Sequence, residues 1–97
     1  MCNNEAKEHA YMLAESAACA AVEMAGAIRS RVFDLHEGIK VLDTLRERAL
    51  ELSEGEGDAP IAAHLAHRAA EILANGGDSD VIDHYLSRAR LLAGSMR

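Results

Sequence analysis

The chain has little of what usually fills a protein core. It has no tryptophan, one phenylalanine (Phe33) and two tyrosines (Tyr11, Tyr85). Its apolar content is mostly alanine and leucine. Alanine buries little area, and each Å² of apolar area is worth about 25 cal/mol. A 97-residue chain of this kind forms one domain. It gains stability by bringing helices close together or by doubling its core, so a homodimer is expected.

Basic residues are also scarce, ten against sixteen acids, for a net charge of −6. That balance argues against a nucleic-acid binder that works by neutralising phosphates, and against a polybasic membrane surface. Arginine outnumbers lysine, and with the alanine content this points to a GC-rich bacterial or phage genome.

There are only two cysteines, Cys2 and Cys19. With no basic region followed by an apolar run at the N-terminus, they read as free thiols in a reducing cytoplasm. The most apolar window, Ala10 to Ile28, contains Glu15 and Glu23. Carrying those charges across a bilayer is costly, so no membrane span is expected. A glycine-rich phosphate loop, a recognisable pair of catalytic carboxylates and a Ser-His-Asp signature are all missing, so no enzyme activity and no cofactor are expected.

What is present is helical periodicity. From Glu5 to Leu52 there is no proline, and only Gly26 and Gly38 interrupt the run. Apolar residues recur there at steps of three and four. In the first half, Ala10, Leu13, Ala14, Ala17, Ala21, Met24 and Ile28 form one stripe, predicting helix 1 over about 4–30. Tyr11, Ala18, Val22 and Ala25 widen it past half the circumference. A helix this apolar meets more than one neighbour. Its small residues suit close approach, so this stripe is the expected interface for a partner or a second copy.

The stripe nearly continues through Arg31 to Leu35, so one helix of almost fifty residues is the alternative. Ser30, Val32, Phe33 and Asp34 weaken helix propensity, and Asp34 with Glu37 resembles a capping box. These favour a break at 30–34 and a second helix over 34–53, with a core stripe of Leu35, Ile39, Leu42, Leu45, Ala49 and Leu52. Arg46, Glu47, Arg48 and Glu51 form its solvated face.

An acidic hinge over 53–59 (SEGEGDA) separates this pair from a second hairpin. Pro60 opens helix 3, over about 60–75, with Ile61, Leu65, Ala69, Ile72 and Leu73 facing a core. Asn75-Gly76-Gly77 ends it, and helix 4 follows over 79–93. The fold class is all-α: a small four-helix bundle of two helical hairpins.

One constellation suggests chemistry. His64, His67 and Glu71, at steps of three and four, share a face of helix 3 opposite Ile61, Leu65 and Ile72. With His84 they could hold part of a zinc or iron site. Against this, an outward face explains them as solvated residues, and the Glu-x-x-His pairs of di-metal bundles are absent. His36 could be a phosphate acceptor, but the order His36-Glu37-Gly38-Ile39-Lys40 does not follow that of histidine phosphotransfer bundles. The expected function is therefore a non-enzymatic protein-protein interaction module, a regulator, adaptor or phage-type inhibitor. The alternative is a metal-binding or enzymatic bundle using the His64/His67/Glu71 face.

Overall fold

The computed structural model describes residues 2–96, and side chains from residue 5 to residue 96. Cys2 therefore lies outside the described side chains. The chain is all-helical: α1 Cys2–Arg29, α2 Leu35–Ser53, α3 Ala59–Ala74 and α4 Ser79–Ser95. At a rise of about 1.5 Å per residue, α1 is about 42 Å long. It spans most of the 49 Å long axis of the molecule.

Helices α1 and α3 form the central pair, because each touches all three other helices, whereas α2 and α4 do not meet. Composition explains this choice. Fourteen of the twenty buried apolar residues among the described side chains are alanines, most of them on these two helices. Alanine seams let backbones approach closely. The larger Leu42, Ile82 and Leu86 come from the flanking helices and are buried. Met24, Leu45, Leu52, Leu73 and Leu92 pack at the margin of this core.

Chain reversals follow from backbone hydrogen bonding. Three helices end in the same motif, in which the last turn is closed by paired bonds around one left-handed residue. After α1, Val32 N–H donates to Ala27 O (2.9 Å) and Arg31 N–H to Ile28 O (3.1 Å). After α2, Gly55 donates to Leu50 (3.0 Å) and Glu54 to Glu51 (3.2 Å). After α3, Gly77 donates to Ile72 (2.8 Å) and Gly76 to Leu73 (3.1 Å). The left-handed residue is a glycine only in the third case. Arg31 (φ 64°) and Glu54 (φ 54°) adopt that conformation despite their side chains.

The break near residue 30 is therefore real, and α2 begins where the capping pattern places it. The Asp34 carboxylate accepts from the Glu37 amide at 3.1 Å. Asp78 caps α4 in the same manner, accepting from Asp80 N–H at 2.9 Å. The hinge is tied down as well, because the Tyr11 hydroxyl on α1 donates to Glu56.

By length and composition α1 could cross a membrane: within Glu5–Arg29 an 18-residue window reaches a mean hydropathy of 1.2. In the bundle its apolar face, from Ala14 to Ile28, is covered by the other three helices.

Candidate functional site

On α3 the structure corrects the sequence reading. Of Ile61, Leu65, Ala69, Ile72 and Leu73, only Leu65 and Ala69 lie in the buried arc. That arc is Ala59, Ala62, Ala63, Leu65, Ala66, Ala69 and Ala70, with His67 at its edge. Ile61 is half-exposed and Ile72 sits at the margin of the core. The cause is packing distance. At a close helix crossing, alanine fits on the contact line and larger side chains are pushed to the flanks. The arc is thus rotated from where residue size would place it, and His67 turns from solvent toward α2.

His67 is 4% exposed and is one of two buried polar residues, with Ser53, among the described side chains. A buried polar ring needs partners, and His67 has them on both nitrogens. Its Nε2 contacts the Asp43 carboxylate of α2. Its Nδ1 lies 3.2 Å from Glu71 Oε1 on α3 and 3.4 Å from Arg46 Nη1 on α2. Arg68 Nη1 approaches the same Glu71 oxygen at 3.8 Å. Arg46, expected on the solvated face of α2, is in fact half-buried against this ring.

The protons of this cluster can be counted. An ionised carboxylate only accepts, so the Asp43 contact requires a proton on Nε2. Nδ1 then has two exclusive options. As a lone pair it accepts from the Arg46 guanidinium. As N–H it donates to Glu71.

This geometry separates the metal-type candidates. Asp43 and Glu71 occupy opposite nitrogens of the His67 ring, so the three do not converge on one point. Among the described residues no group of three or more His, Cys, Asp or Glu is arranged to hold a metal ion. His64 is exposed, and His84, on α4, is exposed with its ring set edge-on to Tyr85. The structure brings His67 and Glu71 together and leaves His64 and His84 out of the cluster. Asp43 and Arg46, which complete it, carried no sequence signal beyond their three-residue spacing on α2.

The expected interface stripe lies largely inside the bundle. Ala14, Ala17, Ala21 and Ile28 are buried by the chain's own helices. Ala10 and Met24 are half-buried, and Leu13 remains 41% exposed. What a partner could reach without unfolding lies elsewhere. Beside the His67 cluster, Arg46, Glu47, Leu50, Pro60 and His64 line a concave surface of about 350 Å³ between α2 and α3. Leu50 is 52% exposed there. Ile61, one turn before His64, is 49% exposed.

Three further residues lie outside this cluster. Arg29 Nε donates to Asp83 at 3.1 Å and ties the end of α1 to the start of α4. The Cys19 thiol is a free cysteine that points at Ala93 O (3.9 Å) and sits between α1 and α4. His36 is exposed in the first turn of α2. Comparison with known proteins finds no matching family, no similar curated protein and no similar solved structure.

Proposed function

We propose that the protein is a non-enzymatic interaction module, and that it binds another protein through the α2–α3 groove rather than through the alanine stripe of α1. The observation that supports this reading is the exposed Leu50 on the wall of a concave surface also lined by Pro60, His64, Arg46 and Glu47. Apolar anchors ringed by charge are the usual anatomy of a groove that receives a helix. Glu47 beside the groove, and Glu51 and Glu54 further along the chain, favour a partner helix with basic residues flanking an apolar ridge.

The homodimer belongs to the same proposal in a changed form. It was expected because alanine buries little area. The chain closes its own alanine seam between α1 and α3, so self-association has to use exposed side chains such as Val32 (80% exposed). Cytoplasmic location remains part of the proposal on the cysteine argument alone.

The experiment is a pair of charge insertions scored in the cells that produce the protein. Leu50→Glu removes what co-purifies with the wild type, while Leu91→Glu on α4 leaves it bound. Both variants keep the wild-type helical spectrum, because both positions are at least half-exposed. Equal loss from both, or from neither, contradicts the groove.

A further inference from the structure

We propose that His67 is a one-proton selector that exchanges Arg46 for Glu71 on its Nδ1 and so sets whether Arg46 is anchored beside the α2–α3 groove. The groups facing the ring are Asp43 and Arg46 from α2 and Glu71 from α3, with Arg68 on the far side of Glu71. Helix α1, which also packs on α3, buries Ala14, Ala18, Ala21 and Ala25.

The two partners of Nδ1 have opposite requirements. Arg46 carries donors only, and the carboxylate of Glu71 carries acceptors only. Both lie within reach, at 3.4 Å and 3.2 Å. With the ring neutral and its proton on Nε2, Asp43 accepts from Nε2–H and Arg46 donates to the Nδ1 lone pair. Glu71 is then served by Arg68. When Nδ1 takes up a proton, it donates to Glu71, its lone pair is gone, and two cations face each other where a hydrogen bond stood. The guanidinium of Arg46 leaves the ring.

That side chain is also a wall of the groove. Release of Arg46 puts a mobile positive charge beside Glu47, Leu50 and His64. Burial makes the exchange discrete: a ring that is 4% exposed has no water to take the place of a lost partner. Of the side chains, histidine is the one whose unperturbed form changes charge near neutral pH, and either charge state of the ring finds a partner here. The inference concerns the free protein and does not depend on a partner.

The test is nitrogen NMR of the full ¹⁵N-labelled chain, titrated from about pH 8 to about pH 5, where histidines change charge. The ring nitrogens of His67 and the guanidinium nitrogens of Arg46 are followed together. The expected result is a neutral ring protonated on Nε2 at the upper end, and gain of the Nδ1 proton with the same midpoint as the Arg46 change. The Arg46 change follows the His67 ring and none of the other four histidines. A neutral ring protonated on Nδ1, an Arg46 signal that is flat while His67 titrates, or a ring that never changes charge while the chain is folded would each overturn the proposal. Glu71→Gln gives a second readout at a partly exposed site. At one fixed acidic pH it lowers the doubly protonated fraction by roughly threefold or more, because the carboxylate that receives Nδ1–H is gone. An unchanged fraction contradicts the exchange.

Discussion

Nε2 of His67 on α3 is bonded to the carboxylate of Asp43 on α2, 24 residues earlier in the chain. This is a polar tie between α2 and α3, made through a buried ring at the edge of an alanine interface. It also fixes the lateral relation of α2 and α3, and hence the shape of the groove beside them.

Removing the ring tests that tie. His67→Ala leaves a cavity and strips partners from Asp43, Glu71 and Arg46, and should cost about 2–3 kcal/mol. Asp43→Ala should cost about 1 kcal/mol, since the Asp43 side chain is 52% exposed and water replaces part of the bond. His67→Leu keeps most of the volume and should cost less than His67→Ala. Thermal unfolding followed by circular dichroism reads the order, with each kcal/mol lowering Tm by about 4–8 °C in a chain of this size. A His67→Ala variant as stable as the wild type would remove the tie from the account.

The helix ends offer a prediction of opposite signs. Arg31 and Glu54 hold a left-handed backbone that glycine adopts without a steric cost, and Gly76 (φ 71°) already has it. Arg31→Gly and Glu54→Gly should therefore each stabilise by up to about 1 kcal/mol, while Gly76→Ala destabilises by about 1 kcal/mol. Chemical denaturation midpoints distinguish these signs. If either substitution to glycine destabilises, or Gly76→Ala stabilises, the helix-end geometry is wrong.

Two other glycines separate space from propensity. A Cβ on Gly38 would lie 2.4 Å from Cδ1 and 2.6 Å from Cγ1 of Ile28, which is buried where α1 meets α2. Gly38→Ala gains about 1 kcal/mol of helix propensity but overpacks by about 1–3 kcal/mol, so net destabilisation is expected. A Cβ on Gly94 meets nothing within 4 Å. Near the end of α4, Gly94→Ala should stabilise by about 0.5 kcal/mol. The comparison is a single unfolding experiment on two variants.

Tyr11 supplies the pH prediction. Its hydrogen bond to Glu56, together with slight desolvation and the charges of Glu56 and Glu54, raises its pKa above the ordinary value of 10.0. A raised folded-state pKa means that the bond's contribution is fully present below pH 10.0 and is lost as pH climbs through the higher folded value. In a Tyr85→Phe background, Tyr11 is the only tyrosine, and its ionisation is read from tyrosinate absorbance. Glu56→Ala should lower that midpoint, and a midpoint that stays put would detach the hinge from α1.

Much of this fold was legible in the sequence, and particular residues show why. Asp34 with Glu37 marked the start of α2, Pro60 marked α3, and Asn75-Gly76-Gly77 marked the turn between α3 and α4. Each is local backbone chemistry, readable without knowing the tertiary packing. The site was legible only in part. His64, His67 and Glu71 were singled out, but as an outward face. Weighing residues by size put Ile61 and Ile72 on the buried line, whereas a close alanine crossing buries Ala62, Ala63 and Ala66 and turns His67 inward. Asp43 and Arg46 lie on another helix, and only the pairing of α2 with α3 brings them to the ring.

The groove around Leu50 is where the protein is proposed to act, and site-specific photocrosslinking in the producing cells tests that most directly. A photoreactive residue at position 50 or 64 should trap one and the same protein, and the same residue at position 88, on α4, should trap none. Equal trapping from position 88, or none from positions 50 and 64, would contradict the account.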